Sequence, residues 1–179
     1  MKEMLSYDDV LLVPQYSDIR SRSEIDISTD LGKGVRLQLP IFASPMDTIS
    51  EAPMAAAMGT FGGSAIVHRY NSIQQQCSLV SMAIEIAGFD IDVGGAVGIS
   101  DDFALRSKML VNAGATFLCV DVAHGHHILM KEALEQIRDT VGPDVHIMAG
   151  NVCTLEGVND LADWGADSIR CNIGGGSIC

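Results

Sequence analysis

Short apolar runs alternate along this chain with longer stretches in which apolar residues recur at helical spacing. From Leu39 onward the alternation is regular. Pro40-Ile41-Phe42-Ala43-Ser44 predicts a first short strand. Ser50 stands at an N-cap position ahead of an alanine-rich helix over 51–58, with Pro53 in its first turn and Gly62-Gly63 behind it. Residues 64–68 predict a second strand, and Asn71 or Ser72 caps a helix over about 73–87. A third strand follows over 93–99, and Ser100-Asp101-Asp102 opens a helix to Asn112, closed by Gly114. Residues 116–122 predict a fourth strand, and a helix runs from about His127 to Val141, closed by Gly142-Pro143. Residues 145–149 predict a fifth strand, Thr154 caps a helix through Trp164, and residues 168–173 predict a sixth strand.

Strands that alternate one for one with helices signal parallel βα units. Runs that are apolar on both sides suit strands buried on both faces. The first strand is not followed by a GxGxxG loop, which favours a barrel over a doubly wound sheet. The expected class is α/β, a parallel (β/α)8 TIM barrel with about six of its eight units present in residues 39–179. By this count the chain stops two units short of closure. Residues 1–38 read as an N-terminal arm. In it Val10-Leu11-Leu12-Val13 is stopped by Pro14, Ile25 and Ile27 alternate with Asp26 and Ser28 as in a half-buried strand, and Gly32 and Gly34 mark a turn.

Charge narrows the classes. The 179 residues carry 23 acidic and 11 basic side chains, a formal charge of −12, which argues against a nucleic-acid surface and an anionic membrane. The hydrophobic share of 47% is enough for a sizeable core. No apolar run reaches the ~18 residues of a membrane span, and the N-terminus lacks a signal-peptide core. The five cysteines form no CxxC pair, so the expectation is free thiols in a reducing cytoplasm, with Cys77, Cys119, Cys153 and Cys171 as packing residues.

In such a barrel the chemistry sits on the loops that follow the strands. Here those loops carry Ser44-Pro45-Met46-Asp47-Thr48, His68-Arg69, Asp121 to His126, Gly150-Asn151-Val152 and the terminal Gly174-Gly175-Gly176-Ser177-Ile178-Cys179. The glycine run allows close backbone approach to a ligand, and its N–H groups with the Ser177 hydroxyl suit a phosphate. Cys179 beyond them has the context of a nucleophile. Other polar residues have structural readings. His68 is a hydrogen-bonder at a strand end, and His124, His126 and His127 are not spaced to point at one metal. Asp101-Asp102 are a helix cap and first-turn pair, Glu132 and Glu135 a solvated face, and the methionines core fillers.

Several of these stretches together resemble one family. Tyr7 to Pro14, Ser44 to Thr48, Asp121 to Gly125, Ala149 to Val152 and Gly174 to Cys179 are similar, in order, to the catalytic barrel of the IMP dehydrogenase and GMP reductase family. The resemblance implies a purine nucleotide oxidoreductase in which Cys179 attacks C2 of the base and forms a covalent thioimidate. It implies Ser44, Met46, Asn151, Gly176 and Ser177 as substrate contacts, with Ser177 and the glycine backbone at the 5′-phosphate. It implies Asp121, Arg170 and Gly150 as contacts to NADP(H) or NAD, with Asp121 on the nicotinamide ribose. Backbone carbonyls of Gly174, Gly176 and Cys179 match a potassium site. A homotetramer in the cytoplasm, acting on GMP or IMP, is also implied. Asn172 and Gly175 depart from the family loop, which commonly has Gly and then Pro or Ser there.

Within the family, the segment between the second and third strands leaves no room for the CBS modules that dehydrogenases usually carry. Asp121-Val122-Ala123-His124-Gly125, Arg20 to Glu24 and Met148 to Asn151 lean to GMP reductase, which converts GMP and NADPH to IMP, ammonia and NADP. Ser44 to Thr48 and Val13-Pro14 lean to IMP dehydrogenase, which converts IMP and NAD to XMP and NADH. The balance favours the reductase. A further reading is a catalytically inactive, truncated barrel that binds nucleotide or pairs through its strand edges with a full-length relative.

Overall fold

The computed structural model describes residues 9–171. A 3-10 turn over Arg22–Glu24 leads to a hairpin of β1 (Thr29–Gly32) and β2 (Val35–Leu37), paired antiparallel through the turn at Gly32, Lys33 and Gly34. Then come β3 (Phe42–Ala43), α1 (Ala52–Thr60), β4 (Ser64–Val67), α2 (Ile73–Ala87), β5 (Val93–Val97) and α3 (Phe103–Asn112). They are followed by β6 (Phe117–Asp121), α4 (Ile128–Val141), β7 (His146–Val152), α5 (Leu155–Asp163) and β8 (Ser168–Cys171). Strands β3 to β8 form one parallel sheet in sequence order. Curled and backed by helices, it is an incomplete TIM barrel, as the alternation predicted.

The pleat sends successive side chains to opposite faces, and both faces are buried. Outward, Val67, Val97, Leu118, Val120 and Ile147 pack with Val80, Leu110, Leu134 and Leu161 of the helices. Inward, Ile66, Ala96, Phe117, Cys119 and Met148 pack together with Val35 of the hairpin. The Phe117 ring meets Phe42 edge-on at 5.7 Å and His146 edge-on at 6.4 Å. Two adjacent glycines make room for both layers. A Cβ on Gly94 would lie 2.2 Å from the Phe117 ring, and one on Gly95 would lie 2.7 Å from Leu110.

Helix starts mostly follow the sequence. Ser72 forms a full capping box with Gln75, and the Thr154 hydroxyl accepts from the Gly157 N–H at 3.1 Å. Two expected starts differ. Glu51, not Ser50, is the N-cap of α1, because the buried Ser50 hydroxyl donates instead to the Ser44 carbonyl. Helix α3 begins after Asp102, whose carboxylate pairs with Arg106 at 2.7 Å rather than capping, while Asp101 takes a left-handed turn conformation, φ 62°. The alternating Ile25 and Ile27 form no strand; both stay about half exposed, and the pairing goes instead to the segment that buries Val35 and Leu37. Among the methionines, Met130 and Met148 are core residues, whereas Met46, Met54, Met82 and Met109 are exposed on the rim or on outer helix faces.

Ion pairs hold the hairpin to the N-terminal end of the sheet. Lys33 reaches Asp167 at 2.8 Å, and the same carboxylate accepts from Arg138 at 2.7 Å and from the Ile147 N–H at 2.8 Å. Beside it His146 is fully buried, with Nε2 2.8 Å from the Ser168 hydroxyl. Burial pushes its imidazole below the ordinary 6.5, and Lys33 and Arg138 act in the same sense against the pull of Asp167.

Gly94→Ala is expected to cost about 1–3 kcal/mol through overpacking against Phe117, read as a lower urea midpoint with unchanged slope. The depressed His146 value sets a pH dependence. As pH falls below 6.5 the unfolded chain takes up the proton first, so stability present above 6.5 is lost below it. The urea midpoint should therefore drop between about pH 7.5 and about pH 5.5, and drop less in His146→Gln. Equal drops in both proteins would remove His146 as the cause.

Candidate active site

All strands of the parallel sheet end on one rim, and three neighbouring ends build a polar cluster there. Asp121 closes β6, Gly150 and Asn151 lie near the end of β7, and Arg170 lies near the end of β8. Register brings them together, with Asp121 opposite Gly150 and Gly150 opposite Arg170. A Cβ on Gly150 would sit 2.6 Å from the Arg170 carbonyl, so only glycine allows this approach. Beyond the strands the pairing continues. Val122 N–H donates to the Gly150 carbonyl, Asn151 N–H to Val122, and Gly125 N–H to Asn151, at 3.0, 2.8 and 2.7 Å.

Charge is balanced inside the cluster. The Arg170 guanidinium pairs with the Asp121 carboxylate, both side chains about three-quarters buried. Arg170 also lies 3.8 Å from the Cys119 sulfur, in a pocket where burial pushes the thiol up to about 12 and leaves it unreactive. Arg69, after β4, donates to the Asp121 backbone carbonyl at 3.4 Å. The Asn151 side-chain oxygen is buried with no hydrogen-bond partner, a group that a bound ligand with a donor would satisfy.

The other predicted positions lie elsewhere. Ser44 and Met46 are on the same rim at the opposite edge of the sheet, after β3, in a tight turn where Met46 N–H donates to the Ser44 carbonyl at 2.8 Å. Both are exposed. Gly174, Gly176, Ser177 and Cys179 lie outside the described residues, and with them the predicted nucleophile, phosphate grip and potassium ligands. His68 is a buried hydrogen-bonder, as expected. Its Nδ1 accepts from the Tyr70 N–H at 3.2 Å, so Nε2 carries the hydrogen and donates to Glu51 at 3.3 Å. His126 pairs with Asp160 at 2.7 Å, and His127 caps α4 through Nδ1. Two expected packing thiols are not buried. Cys153 lies just past β7, Cys171 is the last residue of β8, and both are exposed.

Sequence reasoning missed the support behind this rim. The fully buried Gln76 of α2 donates to the Val67 and Ala96 carbonyls at 3.0 and 2.9 Å and accepts from Arg106 at 2.8 Å. A helical glutamine carries no signal for this in sequence. An open groove of about 610 Å³ lies between the loops after β3 and β4, lined in part by Asp47, Glu51, His68 and Asn71, to one side of the Asp121 cluster.

The sequence model of the IMP dehydrogenase / GMP reductase domain matches residues 4–179. The chain belongs to this family. It is 31% identical to an inosine-5′-monophosphate dehydrogenase of Cryptosporidium parvum, over 98% of this chain and 52% of that protein. It is 33% identical to a GMP reductase of Edwardsiella ictaluri, over 98% of this chain and 51% of that protein. It is 28% identical to an inosine-5′-monophosphate dehydrogenase of Nitrosopumilus maritimus, over 99% of this chain and 63% of that protein. The chain thus spans from half to under two thirds of the length of these relatives, and both names occur among them at similar identity.

Arg170→Ala leaves the mostly buried Asp121 carboxylate without its cation and is expected to cost about 1–3 kcal/mol. Arg170→Lys should recover part of that loss. Equal urea midpoints for wild type and Arg170→Ala would mean that the pair contributes nothing to the fold of this rim.

Proposed function

We propose that this family member is a purine nucleotide oxidoreductase, a GMP reductase that converts GMP and NADPH to IMP, ammonia and NADP. The observation that carries the reading is the gathering of Asp121, Gly150, Asn151 and Arg170 on one rim of a barrel matched by the family along its length. Cys179 follows on the next loop in sequence. In this reading its thiolate attacks C2 of the purine and the 2-amino group leaves as ammonia, which gives a thioimidate on the sulfur. A nicotinamide dinucleotide, when bound, supplies hydride at that carbon, and the C–S bond then breaks to release IMP and the Cys179 thiolate. Asp121, held by Arg170, accepts from ribose hydroxyls of the dinucleotide, and the unpaired Asn151 oxygen accepts from a ligand donor. Gly176 and Ser177 grip the 5′-phosphate, Ser44 and Met46 flank the nucleotide, and carbonyls of Gly174, Gly176 and Cys179 hold potassium.

Support for the reductase comes from Asp121-Val122-Ala123-His124-Gly125 and from the connection between β4 and β5, where α2 alone stands and no CBS modules are inserted. A second reading, IMP dehydrogenase with NAD, is favoured by Ser44-Pro45-Met46-Asp47-Thr48 and by relatives of that name. By the same resemblance the working form is a cytoplasmic homotetramer.

The test is turnover by the protein purified from its natural source. Given GMP and NADPH it should release IMP and ammonia, and Cys179→Ala should abolish this. Formation of XMP from IMP and NAD would select the second reading. No turnover of either pair would overturn both.

A further inference from the structure

Four cysteines lie among the described residues, all free, and they divide into two kinds. Cys119 is fully buried and its thiol is pushed up to about 12 by burial; Cys77 is half-buried, and burial raises its thiol too. Cys153 and Cys171 are exposed, and the sheet brings these two together. Val152 of β7 stands directly opposite Cys171 of β8, so Cys153 is one residue from register with Cys171. Parallel neighbours lie roughly 4.8 Å apart with a rise of about 3.3 Å per residue, which puts a one-step diagonal near ~5.8 Å, inside the ~4.4–6.8 Å between Cα atoms that a disulfide spans.

Strand β7 ends at Val152, and Cys153 lies in the short connection to α5, where the next residue, Thr154, is still extended. The Cys171 sulfur makes one weak contact, to the Ile169 carbonyl at 3.8 Å. Both residues are exposed, and neither belongs to the core clusters.

We propose that Cys153 and Cys171 are a redox-active thiol pair that closes into a disulfide across the ends of β7 and β8. The oxidant is a small-molecule disulfide such as oxidised glutathione. One protein thiolate attacks it, forming a mixed disulfide and releasing one glutathione thiolate. The second protein thiolate then displaces the other glutathione from the protein sulfur. Two protein thiols are oxidised, one external disulfide is reduced, and the protons pass to the two released thiols. Excess reduced glutathione runs the steps backwards. The bond would tie the residue after Arg170 to the turn just beyond Asn151, on the rim described above. Any effect on turnover rests on the proposed function; the disulfide itself does not.

The test is chemical and independent of activity. The purified native protein is treated with oxidised glutathione, remaining thiols are blocked with iodoacetamide, and the product is measured by intact mass and peptide mapping. The expected product has lost two hydrogens and yields one linked peptide pair containing Cys153 and Cys171. Cys153→Ser and Cys171→Ser should each give a glutathione adduct on the remaining partner and no link between these positions. Reduction of the oxidised protein before any blocking should restore the starting mass. Separate glutathione adducts on Cys153 and Cys171 in the wild-type protein would overturn the proposal, and so would a link from either to Cys179.

Discussion

The need to cover a parallel sheet on both faces constrains everything else in this chain. A parallel strand has no solvent face, so each must present apolar side chains in both directions. Outward, the five helices of the described residues answer that need through Ala55, Val80, Leu110, Met130, Leu134, Ile137 and Leu161. Inward, no helix among the described residues covers the sheet, and the strands fill the space with their own side chains around Phe117. Gly94 and Gly95 follow from this, since one yields volume to Phe117 and the other to Leu110. The hairpin follows too, because Val35 completes the inner layer where strand residues alone leave it open.

The charged groups sort themselves by the two ends of the strands. At the N-terminal end, Lys33, Arg138 and Asp167 fasten the hairpin and the start of β8 beside the buried His146. At the C-terminal end, Asp121 and Arg170 neutralise each other near an unpaired Asn151 oxygen. In the first cluster Asp167 is met by Lys33, Arg138 and the Ile147 N–H, while His146 Nδ1 is buried without a partner; at the N-terminal ends of the strands it reads as architecture. The second keeps an unmet acceptor and sits where barrels of this kind carry chemistry.

Behind the rim, Gln76 and Arg106 join α2 and α3 to the ends of β4 and β5. Buried polar groups of this kind are costly unless fully paired. Gln76 meets that condition through two strand carbonyls and one guanidinium. The arrangement holds the loop that carries His68 and Arg69, and Arg69 in turn donates to the Asp121 carbonyl.

The sequence by itself determined the order and kind of the barrel elements, because hydrophobic periodicity and caps are local properties. Ser72 with Gln75, Thr154, and the apolar runs of β4 to β8 needed no knowledge of their neighbours. It also carried the rim, since Asp121, Gly150, Asn151 and Arg170 could be singled out from position and resemblance. Tertiary structure alone decided which local signals won. Ile25 and Ile27 alternate like a strand yet find no surface to bury against, while Val35 and Leu37 do. Ser50 and Asp102 have capping chemistry, but the Ser50 hydroxyl goes to the Ser44 carbonyl and the Asp102 carboxylate to Arg106 one turn on, which Gln76 and the Asn71 carbonyl also hold. The Asp121–Arg170 pair and the nearness of Cys153 to Cys171 are likewise invisible in sequence. They arise from strand register, which is set when distant segments pack and not by the residues of either strand alone.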